Sequence, residues 1–348
     1  MSCQGTQLGM FDINGVDKLS MESVESREAI IRHYAKDPRA LFFISHSGGR
    51  DSQILAITVQ RLVPANQIIY VHAHLGEVEH DGVLEHIERY KPSFTPFYVV
   101  ENERQDFFDL VLLRFRFPSA RIRLCTSTLK TGPIDKLIRK VMKERGATVG
   151  FNCIGIRAEE SRQRAMKNPL WVNKRLTIKS RTVFDWLPVF HMKADGPEGV
   201  FAGIKQAGQE PFHIYGKRNM DGTLVDPNEV VNTRTSCRFC VLGNKNDIGN
   251  AATWYPDHYA KIVALERVTG HSMFFKTVKK QGVPVSVVEK AGVPVDEVAV
   301  RRHMKTLEAR HKELLARKAA EEAEKAAKKT AKTKGAKQID THTIEMFG

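Results

Sequence analysis

The chain has 348 residues, is 42% hydrophobic and carries a formal net charge of +14. That length accommodates one large domain or two modest ones with a sizeable core. No apolar run reaches the roughly 18–20 residues that span a bilayer, which excludes a membrane-embedded role, and the charge favours anionic partners.

Residues 1–20 read as a flexible, polar leader without a signal-peptide core, so a cytoplasmic location is expected. Within it, Gln7–Phe11 faintly resembles a peptide that docks on a replication sliding clamp. A helix is expected over Met21–Tyr34, with Val24, Ile30, Ile31 and Tyr34 as its apolar positions. Strands and helices then alternate. The strands are Leu41–Ser45, Gln67–His74, Pro96–Val100 and Val149–Ile156. The helices are Ser52–Leu62, Gly82–Tyr90, Gln105–Arg114 and Pro133–Arg145. This βαβα order predicts an α/β fold, a doubly wound and mainly parallel sheet covered on both faces. Farther on, Val183–Phe190 reads as a strand, Pro197–Ala207 and Trp254–Thr269 as helices, and Gly216–Thr235 as a polar loop. The expected organisation is a leader (1–20), a main domain (21–275), a helical extension (276–316) with a helix over Val298–Ala316, and a basic low-complexity tail (317–348). Arg317–Lys337 holds eight basic and three acidic residues and little apolar content, so it is an exposed helix or disordered.

The first strand runs into Ser47-Gly48-Gly49-Arg50-Asp51-Ser52, and a helical pattern follows. Strand, glycine turn and helix N-terminus form a phosphate cradle, because glycine lets the backbone approach an anion and the free N–H groups and helix dipole favour negative charge. The Walker pattern is absent, since no Gly-Lys-Ser/Thr follows at the required spacing. Asp51 is placed to cap the helix or to hold Mg²⁺ through water.

This loop resembles the SGGxDS loop of the PP-loop ATP pyrophosphatase superfamily, and further segments are similar to its PAPS reductase-like (phosphoadenosine phosphosulfate reductase) branch. Leu75–Gly82 matches an acidic, turn-rich segment after the second strand. Arg121–Lys130 with Pro133 resembles R-x-CT-x-x-LK-x-x-P, and Gly155–Ala165 resembles G-x-RxxES-x-x-R. Trp186–Val189 takes the place of W-x-PI, and Arg234–Cys240 that of R-x-SC-x-x-C. The order holds across roughly residues 40–275 and looks most like phage and mobile-element members. The resemblance implies the adenine-nucleotide alpha-hydrolase-like sheet. It also implies binding of ATP, PAPS or another adenylyl nucleotide, with Mg²⁺, at Ser47, Gly48, Gly49, Arg50, Asp51, Ser52, Arg123, Gly155, Arg157, Glu160 and Ser161. Asp51, Lys130 and Arg157 are the candidate catalytic residues, Arg157 as a bidentate phosphate or sulfate ligand oriented by Glu160.

Cys237 and Cys240 form CxxC, which reads as two metal ligands, a redox dithiol or a coincidence. Cys125 adds a third thiol. Three cysteines on a 4Fe–4S cluster leave one iron open, as in related sulfur-transfer proteins, and zinc is the alternative, with Cys153 as a fourth ligand or a buried core thiol. Cys3 is incidental. His72, His74, His80 and His86 cluster in sequence without zinc-protease spacing. No cysteine follows Cys240, so the reductases' C-terminal Glu-Cys-Gly nucleophile is missing. Three readings follow. One is ATP cleavage at the α–β bond to adenylate an acceptor for sulfur transfer, with nucleic acid as one acceptor held by the basic tail. The others are a PAPS reductase that borrows a partner protein's thiol, and a nucleotide-binding regulatory or adaptor subunit.

Overall fold

The computed structural model of the protein describes residues 24–216, 232–235, 237–278 and 281–345. The leader, with Cys3 and Gln7–Phe11, and most of the polar loop Gly216–Thr235 lie outside the described residues. Helix α1 (Val24–Tyr34) precedes β1 (Ala40–Ser45), α2 (Arg50–Leu62), β2 (Ile68–Ala73), α3 (Val83–Tyr90), β3 (Phe97–Val100) and α4 (Phe107–Arg114). Then come α5 (Gly132–Glu144), β4 (Val149–Cys153), a one-turn α6 (Arg162–Ala165), β5 (Leu170–Val172), β6 (Thr182–Trp186) and α7 (Val200–Gln206). The strands form one sheet in the order β3-β2-β1-β4-β6-β5, parallel except for β5 at the edge. The fold is therefore α/β and doubly wound.

β1 shows why the sheet is sandwiched. Its sequence Ala-Leu-Phe-Phe-Ile is apolar throughout, as a strand covered on both faces must be. Phe42 and Ile44 pack on one side with Ile54, Leu55 and Val59 of α2, while Leu41 and Phe43 pack on the other with Ile138, Val141 and Met142 of α5. Phe42 stacks on Phe151 of β4 at 4.6 Å between ring centroids, and Phe151 stacks on Phe184 of β6 at 5.1 Å.

The sequence pattern placed the strands within a few residues. It missed β5, whose three residues are too few to show alternation, and the two strands over 274–285, which open the stretch expected as a helical extension (276–316). The expected helix Trp254–Thr269 is the second of two helices, α8 (Lys245–Trp254) and α9 (Pro256–Thr269). Pro256 sits at the first turn of α9, where its missing N–H costs nothing, and separates the pair. The Gly-Val-Pro-Val segment at 282–285 lies in an antiparallel hairpin, β7 (Phe274–Val278) with β8 (Gln281–Val285). α10 (Val287–Ala291) and α11 (Glu297–Glu345) follow. Val300, Leu307 and Leu314 of α11 are buried in a second core with Phe107–Leu112 of α4 and Tyr259–Leu265 of α9. Arg310 fastens the same stretch, donating to Asp109 (2.8 Å) and Asp106 (2.6 Å). From Arg317 to Lys328 the helix is exposed, in keeping with its Ala-Lys-Glu composition.

Candidate functional site

β1 has β2 on one side and β4 on the other, and the chain winds outward from β1 in both directions. Open α/β sheets bind ligands at the carboxyl ends of the strands flanking such a switch point. A cavity of about 640 Å³ lies there, large enough for a nucleotide-sized ligand. Its lining joins Ser47, Gly49, Arg50, Asp51 and Ser52 after β1 to Gly155, Arg157 and Glu160 after β4, and to Arg123, Lys130, Cys125, Cys237 and Cys240. Thus most of the sequence-predicted residues, drawn from more than 190 positions of chain, share one cavity.

The loop after β1 is held by its own groups. Gly48 has φ +75°, the left-handed region, and a Cβ there would sit 2.8 Å from Val83 Cγ1. Gly48 N donates to His46 Nδ1 (3.0 Å), Ser47 N donates to Ser52 Oγ (3.1 Å), and Ser52 Oγ donates to Gly49 O (2.8 Å). Burial, reinforced by His86 and His72, pulls the His46 pKa down to about 3. His46 is therefore a neutral acceptor under the turn. Arg50 N donates to the Tyr215 hydroxyl (3.2 Å), and the Arg50 guanidinium lies over the rings of Phe201 (4.8 Å) and Tyr215 (5.3 Å).

Asp51 does not cap α2. Gly49 is the cap residue, without a side-chain bond, and Asp51 sits in the first turn. Its carboxylate instead accepts from Arg157 Nε at 2.5 Å. Arg157 is 2% exposed and also pairs with Glu159. Burial works against its charge, but Asp51 and Glu159 outweigh it, so the guanidinium pKa is raised. Glu160 does not orient the Arg157 guanidinium. Its carboxylate accepts from the Arg157 backbone N–H (2.9 Å) and pairs with Arg164. Glu159, in turn, accepts from Ala194 N (2.7 Å). Ser161 caps α6, accepting from Arg164 N (3.2 Å), and neither it nor Gly48 lines the cavity. A polar chain continues from the cavity into the sheet. Ser45 Oγ donates to Asn152 (3.2 Å), and Asn152 and Asn173 donate to buried Asp185 (2.7 and 3.0 Å).

Cys125 begins a π-helical turn, Thr126–Thr131, that presents Lys130 to the cavity. Cys237 pairs through its backbone with Glu79 in an isolated bridge, and Arg238 N donates to Val78 O (2.8 Å). The segment after β2 thereby holds the CxxC loop in place. The Cys237 thiol is pushed up by its contact with Cys240 and by burial, and the Cys125 thiol by burial, with Lys130 opposing both. Cys153 is fully buried in β4, its thiol toward Phe151 O (3.7 Å), and does not line the cavity that the other three line.

Tetrahedral zinc needs sulfurs about 3.8 Å apart, given Zn–S bonds of about 2.3 Å. Among the described residues, the one group of three metal-ligating side chains converging within 4.8 Å is His72, His74 and Glu79. The three cysteine sulfurs are thus too spread for a single ion as they stand. His46, Glu159 and Tyr215 were missed as site residues. Tyr215 comes from a distant segment, His46 directly precedes the Ser47–Ser52 loop, and Glu159 sits inside the Gly155–Ala165 segment, where only contacts distinguish them.

Fold and site define an α/β protein with a ligand cavity at its topological switch point. No protein-family model matches the chain. An uncharacterized 37.8 kDa protein in the gpa 5' region of Escherichia phage 186 is 24% identical over 225 residues, 61% of this chain. The match spans about 58% of that relative's length. Among solved structures, FMN adenylyltransferase of Candida glabrata in complex with FMN and an ATP analogue overlaps 59% of this chain and 64% of its own. The identity is 11% and the TM-score 0.27. The same enzyme in another crystal overlaps 59% and 63% at 12% identity, also with a TM-score of 0.27. Overlaps this slight bring no function across. No described helix is long and apolar enough to cross a membrane.

Proposed function

We propose that the chain binds ATP at the loop Ser47–Ser52 and cleaves it between the α and β phosphates, adenylating an acceptor for sulfur transfer. The observation that carries this reading is the convergence of the glycine loop, Arg157 and the three cysteines on one cavity. The N–H groups of Ser47, Gly48 and Arg50 are donated within the protein, so the phosphates are bound by the Gly49 and Asp51 N–H groups and the dipole at the N-terminus of α2. In the reaction, an acceptor oxygen attacks the α-phosphorus, the α–β bridging bond breaks, and pyrophosphate leaves with the bonding electrons. Lys130 and Arg123 line the cavity and offset the charge that develops. Arg157, clamped by Asp51, fixes the geometry of the loop and adds its own charge. Mg²⁺ beside Asp51 supplies further charge neutralisation when bound. A 4Fe–4S cluster on Cys125, Cys237 and Cys240 would supply an open iron for sulfide. The charge of Arg123, Lys130 and Arg234 favours an anionic acceptor, nucleic acid included.

The contact between Cys237 and Cys240 beside the same cavity favours a second reading, a sulfonucleotide reductase completed by an external thiol. The deciding experiment measures pyrophosphate release from ATP and sulfite release from PAPS with a dithiol reductant. ATP cleavage abolished by Lys130→Ala supports adenylation. Sulfite release without ATP cleavage supports the reductase. Tight nucleotide binding with neither product assigns the chain to regulatory or adaptor proteins.

A further inference from the structure

The imidazoles of His72 and His74 and the carboxylate of Glu79 meet at the carboxyl end of β2. His72 Nε2 lies 3.0 Å from Glu79 Oε1, and His74 Nδ1 lies 2.7 Å from Glu79 Oε2. His72 and Glu79 are buried, at 1% and 7% exposure, while His74 is half-buried. Two imidazoles on one carboxylate are an ordinary hydrogen-bonded cluster unless the donors fail to match the acceptors.

They fail to match at His72. Its Nδ1 lies 2.8 Å from the His46 carbonyl, an acceptor only, so Nδ1 carries the proton. Nε2 faces a carboxylate oxygen, which is also an acceptor, so the contact needs either a second proton on the ring or a metal cation between the two atoms. Histidine ligands of metals donate their second ring N–H to a backbone carbonyl or carboxylate in this way, which fixes the tautomer. The three ligand atoms lie within 4.8 Å of one another, which admits an ion whose bonds of about 2.1 Å separate donor atoms by about 3 Å at a right angle and about 3.4 Å at a tetrahedral one.

The geometry points to a divalent first-row transition-metal ion bound by His72, His74 and Glu79. Two imidazoles and one carboxylate suit Zn²⁺, Mn²⁺ or Fe²⁺ rather than Mg²⁺ or Ca²⁺. Three protein ligands leave at least one coordination position for water or a substrate, unlike a closed structural zinc site. The turn that carries Glu79 is tied to its surroundings. Lys261 pairs with Glu77, Arg238 pairs with Asp81, and the backbone of Glu79 bridges Cys237. Leu75 and Val78, between His74 and Glu79, line the cavity that holds the cysteines. The ion therefore lies beside the nucleotide cavity without sharing its ligands. This inference stands apart from the nucleotide reading.

The test uses the full chain without nucleotide. Zinc bound per chain after gel filtration is measured in a Cys125→Ser, Cys237→Ser, Cys240→Ser protein, and again with Glu79→Gln or His74→Ala added. One equivalent is expected in the first protein and none in the other two. His74 is half-buried, so its variant decides the matter if Glu79→Gln does not fold. In the unaltered chain, Co²⁺ is expected to give visible ligand-field bands that His74→Ala removes, separate from thiolate charge-transfer bands in the near ultraviolet. Zinc that vanishes with the cysteines alone, or that persists in His74→Ala, overturns the assignment.

Discussion

Replacing Gly155 with alanine isolates the mechanical link between β4 and the loop after β1. A Cβ at Gly155 would lie 2.7 Å from Asp51 O, 2.9 Å from Asp51 C and 3.1 Å from Ser52 N. The nearest approach is roughly 0.7 Å inside the 3.4 Å at which ordinary contact begins. The obstructing atoms are backbone in the first turn of α2, so no side-chain rotation relieves the clash. That turn is fixed by the Ser47, Gly49 and Ser52 hydrogen bonds and by the Asp51–Arg157 pair, so all of them shift together. Overpacking of this kind costs about 1–3 kcal/mol. The melting temperature should fall by roughly 1.5–4 °C in a chain of this size. ATP affinity should weaken by about tenfold or more, because the displaced groups line the cavity. Gly203→Ala is the control. Its Cβ would come closest to the Ile54 Cδ1 terminus at 2.9 Å, the far end of a side chain rather than backbone, with its other neighbours at 3.8 Å. Calorimetric unfolding and titration with ATP read the two effects separately. A Gly155→Ala protein that melts within 1 °C of the parent refutes the packing argument. One that is destabilised yet binds ATP unchanged refutes the link from the strand end to the loop.

Three further perturbations test other parts of the structure. His258 stacks on Phe239 (5.6 Å), its Nε2 is buried without a hydrogen-bond partner, and burial, aided by Arg238, lowers its pKa to about 3. The unfolded chain takes up this proton near 6.5 and the folded one only near 3, so His258 favours folding above 6.5 and that contribution is lost as the pH falls toward 3. The loss at pH 5 is about 2 kcal/mol, and denaturant titrations of His258→Phe at pH 5 and 7.5 should show a correspondingly shallower acid dependence. Glu266, buried in α9, accepts from Met273 N (2.6 Å) and Val287 N (2.8 Å), tying down the hairpin and α10. Glu266→Ala orphans both N–H groups and should cost about 2–5 kcal/mol by urea unfolding; a loss under 1 kcal/mol would show that water replaces the carboxylate. The contact with Cys240 and burial raise the Cys237 thiol, and burial raises Cys125, so iodoacetamide at pH 7.5 should label both several-fold more slowly in the folded, metal-free protein than in urea. Equal rates, followed by peptide mass spectrometry, would place these thiols in water.

Local chemistry alone determined the framework. Leu41–Ile44 is apolar at every position, so it had to be a strand covered on both faces. The run Ser47–Ser52 between that strand and an amphipathic helix had to be a glycine turn feeding a helix N-terminus. Pro133 and the Ala-Lys-Glu composition after Arg317 likewise fixed a helix start and a solvated stretch, because propensity and charge act over a few residues. Pairings set by sequence separation were decided only by the tertiary structure. Arg157 reads in sequence as a free phosphate ligand oriented by Glu160, yet 106 positions of chain return Asp51 to its side. Asp51 reads as a helix cap, yet that distant guanidinium attracts it more strongly than the local N–H groups. His72, His74 and Glu79 are neighbours in sequence without a recognised spacing. Only the end of β2 and the turn after it aim two rings at one carboxylate. Side-chain direction at a strand end depends on where the chain goes next, and periodicity does not encode that.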